Sequence, residues 1–175
     1  VCLFDETTGS YNTPSILRRY GLEGMAVVYR GYERVLGIMA APENPLGIRG
    51  IEDLLRGDVR MVNSRRGSSA RALFDRELRE VARKRGISFD EVVGGIRGYG
   101  VEVASYTEAA WAVVSGSADV ALGSADVARK FGLDFVPLWA EEYDFVVAAD
   151  RIDDPPIKAV LETLKSEEFR LTVSR

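Results

Sequence analysis

Histidine is absent from all 175 residues, and cysteine occurs once, as Cys2. Without histidine there is no Ser-His-Asp or Cys-His constellation, no imidazole acid–base chemistry and no mixed Cys/His zinc site. A single cysteine excludes an intramolecular disulfide framework and leaves the redox compartment unread. No apolar run approaches the roughly 18 residues of a membrane-spanning helix, and no leader pattern opens the sequence. Spaced catalytic or metal-binding carboxylates are missing as well. The pairs Glu141-Glu142 and Asp153-Asp154 are adjacent in sequence, so their side chains diverge and are expected to be solvated. Nor is there a Walker loop, and Gly98-x-Gly100 precedes a strand-like run instead of a helix, which sets a dinucleotide fingerprint aside. What survives these exclusions on the enzyme side is a Ser, Tyr or Lys constellation, which a sequence does not show, so neither a catalytic nor a metal-ligating residue is named.

What is present is an ordinary globular composition, 46% hydrophobic and 29% charged, enough for one two-layer core or a pair of small lobes. The formal charge is −4, but residues 60–85 hold nine Arg or Lys against three Asp or Glu. Such a distribution predicts a basic pocket on an acidic body. Nucleic-acid binding through this region is not expected, because it lacks interleaved aromatics and any recognised motif.

Punctuation and periodicity give the elements. Pro14 opens a helix with Thr13 as its N-cap, Ile16, Leu17 and Tyr20 on one face and Gly21 as its stop. Residues 25–30 and 35–41 read as two strands, the second apolar throughout, as in a strand buried on both faces. A short helix follows over 48–56. Leu73, Phe74, Leu78, Val81 and Ala82 make one apolar stripe on a long helix that ends at Gly86, and Arg83, Lys84 and Arg85 complement its C-terminal dipole. A short helix or turn near 89–93, a helix over 105–115, a strand over 118–123, a helix capped by Ser124, strands over 135–139 and 145–149, and a last helix after Pro155-Pro156 complete the chain. The alternation of strands and helices predicts an α/β fold with mostly parallel strands, in which ligands sit beyond the strands' carboxyl ends.

The most informative stretch is Arg65-Arg66-Gly67-Ser68-Ser69-Ala70-Arg71, read as strand end, tight loop and helix N-terminus. A helix's first turn has backbone N–H groups without partners and partial positive charge, and small residues let an anion approach them. Three arginines crowd a helix end that ordinarily favours acidic residues, so either an anion is expected nearby or Ser68 is a plain N-cap beside solvated arginines. Ser124 opens a second strand–loop–helix junction. Tyr106 and Tyr143 each precede an element, where a phenol can donate to a ligand oxygen. Trp111 and Trp139 lie in apolar runs and are expected in the core.

Several segments carry a family resemblance in the same order through most of the chain. They are Phe4-Asp5-x-x-Thr8-Gly9-x-Tyr11-Asn12, Val62-Asn63-x-Arg65-x-Gly67-Ser68-x-x-Arg71, Ala118-Asp119-Val120-Ala121-Leu122-Gly123, and Gly132-Leu133-Asp134-Phe135-Val136-Pro137-Leu138 with Glu142-Tyr143-Asp144. This set resembles the periplasmic-binding-protein-like domain, related to molybdate and tungstate receptors. It is also similar to the substrate-binding module fused to molybdenum-cofactor biosynthesis enzymes or to helix-turn-helix regulators, notably in archaea.

The resemblance implies a two-lobed type II architecture with mostly parallel sheets and two crossing strands, at 35–41 and 143–149. Lobe one would comprise residues 1–41 and 143–175, and residues 42–142 the connecting helix and lobe two. It also implies that the chain is N-terminally truncated, beginning inside lobe one at Val1. The implied function is non-catalytic capture of a small oxyanion, molybdate or tungstate, in the cleft between lobes, for transport, delivery or sensing. No cofactor is implied beyond that ligand. Ser68, Ser69 and Gly67 would donate to it, Arg71 and Arg65 would balance its charge, and Tyr106, Ser124 and Tyr143 would complete the wall. A transporter, a fused enzyme or a regulator domain would be the partner, with a membrane-anchored or extracellular location in the first case and a cytoplasmic one in the others. An organic ligand in a regulatory module is the alternative. The loop departs from the family's usual Gly-Ser-Gly-Thr-Arg: Ser69 replaces the second glycine and Ala70 the threonine. Either Ser69 supplies the lost hydroxyl or the ligand differs.

Overall fold

In a computed structural model, residues 2–5, 10–11 and 13–173 are described. In chain order the elements are strands β1 (Cys2–Asp5) and β2 (Ser10–Tyr11), helix α1 (Thr13–Arg19), strand β3 (Ala26–Ala40), a 3-10 turn (Ile51–Leu55) and strand β4 (Met61–Ser64). Helices α2 (Ser69–Arg85) and α3 (Phe89–Gly94), strand β5 (Glu102–Val103), helix α4 (Tyr106–Val114), strand β6 (Val120–Ser124) and helix α5 (Ala125–Lys130) follow. Strand β7 (Asp134–Ala148), a 3-10 turn (Ala149–Arg151) and helices α6 (Pro155–Lys165) and α7 (Glu167–Val173) end the chain. Most of the polar loop expected after the first strand lies outside the described residues.

The chain divides into two compact units, Val1–Arg34 with Ala140–Arg175, and Val35–Trp139. The resemblance placed the divisions later, after residues 41 and 142. β3 and β7 each run unbroken from one unit into the other, so what the sequence suggested as two pairs of short strands is a pair of 15-residue strands.

In the second unit β4 pairs in parallel with β5 and with β6, and β3 joins β6 antiparallel, from Leu36↔Ser124 to Ala40↔Val120. Side chains alternate across β4 and β6. Val62 and Ala121 pack with Ala109, Ala110 and Val113 of α4, while α2 presents Leu73, Phe74 and Leu78, all buried. Ser68 caps α2 by accepting a hydrogen bond from the Arg71 backbone N–H at 3.2 Å, and Gly86 ends it at φ +67°. The Arg60 guanidinium and backbone N–H clamp Asp119 at 2.7–3.1 Å, tying the entrance of β4 to that of β6. β4 also takes backbone bonds from the segment before and into β5: Met61 N–H donates to the Arg97 carbonyl and Asn63 N–H to Val101. Gly98 makes this approach possible, since its φ is +91° and a Cβ there would strike the Met61 carbonyl oxygen.

The first unit carries much less buried apolar surface. Among its described residues only Leu161 is a buried hydrophobic side chain, whereas Met25 is 65% exposed and Tyr20 69%. Tyr20 falls outside the helical face shared by Ile16 and Leu17, because α1 ends at Arg19 and the following turn carries the ring into solvent. Thr13 is the first residue of α1, not its cap, and its hydroxyl donates to Asp144 at 2.6 Å.

Glu141 and Glu142 are buried, contrary to the expectation of a solvated pair. The reason is β3: Arg34 Nε donates to Glu141 at 2.5 Å, and Arg30 pairs with Glu142. Burial raises the Glu142 carboxyl above its ordinary value, with Arg30 opposing. Trp111 is likewise exposed, at 58%, edge-on to Phe131 at 5.8 Å, since the inward face of α4 is filled by alanines and Val113. α7 was not expected as a separate helix.

Two measurements test this account. Gly98→Ala should cost about 1–3 kcal/mol of stability in urea unfolding, whereas Gly57→Ala, at a position with open space and no left-handed φ, should be near neutral. Asp119→Asn tests the clamp: hydrogen bonding to Arg60 holds the Asp119 carboxyl below its ordinary 3.8, against burial. A depressed carboxyl stabilises the fold above its unfolded value and ceases to do so as pH falls through the folded one. The wild type should thus be more stable than Asp119→Asn at neutral pH, and the difference should shrink below pH 3.8.

Candidate functional site

The carboxyl ends of β4 and β6 bring most of the expected residues into one unit. After Ser64 the chain turns through Arg65 and Arg66, and Gly67, at φ +86°, lets it enter α2 at Ser69. Ser68 N–H donates to the Arg65 carbonyl at 3.2 Å and closes the turn. Ser68 and Ser69 are half-buried, and the N–H groups of Ser69 and Ala70 fall in the first turn, where no intrahelical acceptor exists. The Arg65 side chain is exposed, with no ion-pair partner among the described residues.

Arg71 sits differently. Its side chain is 3% exposed, with Nε on Asp75 at 2.9 Å, Nη1 on Glu102 at 3.2 Å and on the Ser64 carbonyl at 3.4 Å. The guanidinium lies 4.3 Å from the centre of the Tyr99 ring, whose hydroxyl donates to Asp75 at 2.8 Å. Burial draws the Arg71 pKa down, but the interactions with Tyr99 and Asp75 prevail and the net shift is upward. Burial pushes the Tyr99 phenol up, reinforced by Asp75 and opposed by Arg71. Arg71 is thus held by the protein's own carboxylates.

Ser124 ends β6 and precedes α5. It occupies the cap position without making the expected cap bond, because its side chain is enclosed with the strand, at 1% exposure; its hydroxyl has no partner among the described residues. Asn63, fully buried one residue from the end of β4, donates its amide to the Tyr99 carbonyl at 3.1 Å, and its Oδ1 is unpartnered among the described residues. Buried polar atoms of this kind ask for a partner. Tyr106 opens α4, half-buried, after Ser105, which accepts the Glu108 backbone N–H at 3.2 Å. Tyr143 belongs to the other unit, stacked on Tyr32 at 5.0 Å with the Arg34 guanidinium 4.6 Å from its ring centre.

Sequence reasoning missed Glu102, Asp75, Tyr99 and Asn63. Asp75 was available from its i,i+4 spacing to Arg71. Glu102 reaches the loop through strand pairing alone, Asn63↔Glu102, and carries no local signal. Among the described residues no group of three or more Cys, Asp or Glu could hold a metal ion, and no helix is long and apolar enough to cross a membrane.

This arrangement of an α/β unit with a helix N-terminus at the strand ends has relatives. The family model of the PBP superfamily domain matches residues 1–165. The chain belongs to the PBP superfamily. A curated relative, the uncharacterized protein YvgK of Bacillus subtilis, is 36% identical over 172 residues, covering 98% of this chain and 52% of its own. The chain therefore spans about half the length of that relative. Among solved structures, PEB3 with bound L-phospholactate superposes with a TM-score of 0.60 at 17% identity, covering 82% of this chain and 64% of PEB3. An ancestral amino acid-binding protein, AncCDT-1, described as a precursor of cyclohexadienyl dehydratase, gives 0.54 at 19% identity over 93% of this chain and 62% of its own. The fold is accordingly the mixed α/β, type II PBP fold of a ligand-binding domain.

Removing Arg71 should be a stability defect first. Arg71→Leu leaves Asp75 and Glu102 without their shared cation and should cost about 3–5 kcal/mol in urea unfolding. Arg71→Lys should recover only part, because a lysine supplies neither the planar fork nor the stacking on Tyr99. Arg65→Gln, at an exposed site, should change stability little.

Proposed function

We propose that this PBP domain is a non-catalytic receptor for a small anion, held at the loop between β4 and α2. The observation that carries the reading is the Gly67-Ser68-Ser69 entry to a 17-residue helix, with first-turn N–H groups and the exposed Arg65 at the same junction. Backbone N–H groups and the helix dipole stabilise a carboxylate or oxyanion without needing a buried lysine or metal. Ser68 and Ser69 are the donors and Arg65 supplies the charge. The buried hydroxyl of Ser124 and the Asn63 Oδ1 are further groups that a ligand or a water would satisfy. Tyr106 stands at a neighbouring helix start in the same unit. Arg71 acts by holding the loop.

Molybdate and tungstate are the first ligands to try, on the strength of the sequence resemblance. An organic acid is the second reading, favoured by Glu102 and Asp75, which already offset much of the loop's positive charge. PEB3, of the same fold, was solved with L-phospholactate, an organic anion. In a longer protein, ligand capture by this domain would serve transport, delivery or the control of a fused enzyme or regulator.

Calorimetric titration of the full-length protein with molybdate, tungstate, sulfate, phosphate and small carboxylates checks the reading. One of these anions should bind with micromolar or tighter affinity. Ser68→Ala and Arg65→Gln should each weaken it by about ten-fold, in line with the loss of one charge-assisted hydrogen bond. Binding undiminished in both variants would place the ligand elsewhere.

A further inference from the structure

A cavity of about 230 Å³ lies within the Val35–Trp139 unit, at the other end of the sheet from the loop that opens α2. Its lining includes the last residue of β3, Ala40, and the first of β6, Val120, which are partners in the antiparallel register, together with Val113 of α4. Leu46, Ile48 and Ala118 complete an apolar wall. Because β4 and β6 are parallel, this is the end at which both strands begin, whereas the Ser68 turn follows the end of β4. Two turns border the cavity, and each is held by bonds of its own. Asn44 Nδ2 donates to the Ile48 carbonyl at 2.7 Å, and Asn44 Oδ1 accepts from the Ile48 N–H at 2.9 Å. Glu43 and Asn44 adopt left-handed backbone there, at φ +67° and +44°. That conformation is costly for a glutamate and persists only where neighbouring bonds enforce it. In the other turn the Ser115 and Ser117 hydroxyls share the Ala112 carbonyl, at 3.2 and 3.0 Å, and Arg60 Nη2 donates to the Gly116 carbonyl at 3.0 Å. Turns pinned in this way keep the space between them open.

We propose that this cavity is a second binding site, for a compact uncharged molecule built around one apolar ring. At the packing density of a protein interior its volume holds about ten non-hydrogen atoms, the size of a benzene ring with a short substituent. Charge decides the class. The two carboxylates of the lining are already matched: Arg56 donates to both oxygens of Asp58, at 3.1 and 2.8 Å, and Arg60 to both oxygens of Asp119, at 3.1 and 2.7 Å. A cationic ligand therefore finds no unmatched carboxylate in the lining, an anionic one meets two carboxylates, and either loses hydration against an apolar wall. An uncharged ring only exchanges water for apolar contact, which is favourable. The asparagine and serine side chains at the border spend their hydrogen bonds on their own turns, so they shape the cavity and ask little of its occupant. This site stands apart from the anion reading, since none of its lining residues belongs to the β4–α2 loop.

Benzyl alcohol, benzylamine and benzoate test this directly, since they are nearly equal in size and are neutral, cationic and anionic. Each would be titrated into the full-length protein and followed by two-dimensional NMR of the methyl groups, which reports where a probe binds as well as how tightly. Benzyl alcohol should shift the methyl signals of Ile48, Val113 and Val120 saturably, with roughly millimolar affinity, as expected for so few atoms. Benzylamine and benzoate should be about ten-fold weaker or worse at these methyls. Ala41→Leu, which enlarges a lining side chain, should abolish the response, and Leu46→Ala, which removes part of the wall, should weaken it several-fold. Both residues are half-buried, and thermal unfolding checks each variant; should Ala41→Leu not fold, Leu46→Ala decides. No response to benzyl alcohol, a response that does not saturate, or an affinity unchanged in both variants overturns the site. Benzylamine or benzoate binding there as tightly as benzyl alcohol overturns the uncharged class. Shifts of the same methyls with protein concentration alone assign the cavity to a second copy of the chain and overturn the small ligand.

Discussion

A guanidinium that cannot be left alone governs the functional end of the second unit. Arg71 is almost wholly buried, and an unpaired buried charge costs several kcal/mol. Its partners come from four places: Asp75 one turn along α2, Glu102 on β5, the Ser64 carbonyl at the end of β4 and the face of Tyr99 in the loop before β5. The first turn of α2, the edge strand and that loop must therefore be assembled together. Ser68, capping the backbone of the same Arg71, inherits its position from that assembly. The geometry of the proposed anion loop is thus a by-product of satisfying one cation, and the loop can remain in shape before any ligand arrives.

The long helix and its loop were legible in the sequence because their signals are local: Ser68 as cap, Gly67 and Gly86 where left-handed backbone is needed, and an apolar stripe at helical spacing. The two long strands were not, and both were misread for the same reason. The polar stretch containing Arg30 and Arg34 interrupts one apolar run, and Glu141-Glu142 interrupts another, so each looked like a loop. In the folded protein these residues are one another's partners across β3 and β7. Neither interruption makes sense without the other, and they lie more than a hundred residues apart.

The candidate site was legible to the same extent. Residue types that present donors could be found from the helix start, and Ser68, Ser69 and Arg65 stand at that junction. The acidic residues that set its charge could not, because the excess of arginine in residues 60–85 concealed a carboxylate supplied from outside that window. A local charge count overstates the field of a pocket whenever the opposing charges arrive by strand pairing. Arg71 illustrates the other half of the problem: a motif position can be essential to a loop while its side chain serves the scaffold.

The uneven distribution of buried side chains has a kinetic meaning. Nearly all of the fully enclosed apolar groups among the described residues belong to the unit formed by Val35–Trp139, and the other unit relies on ion pairs, ring stacking and strand hydrogen bonds. Open fluctuations draw on whatever apolar contact must be broken, so amides of the two units belong to different cooperative tiers of hydrogen exchange. Protons of β4, β6 and the inward face of α2 are therefore expected to exchange through the rarest openings, and those of α6 and α7 through more frequent, partial ones. The loop that opens α2 is anchored to the slow tier.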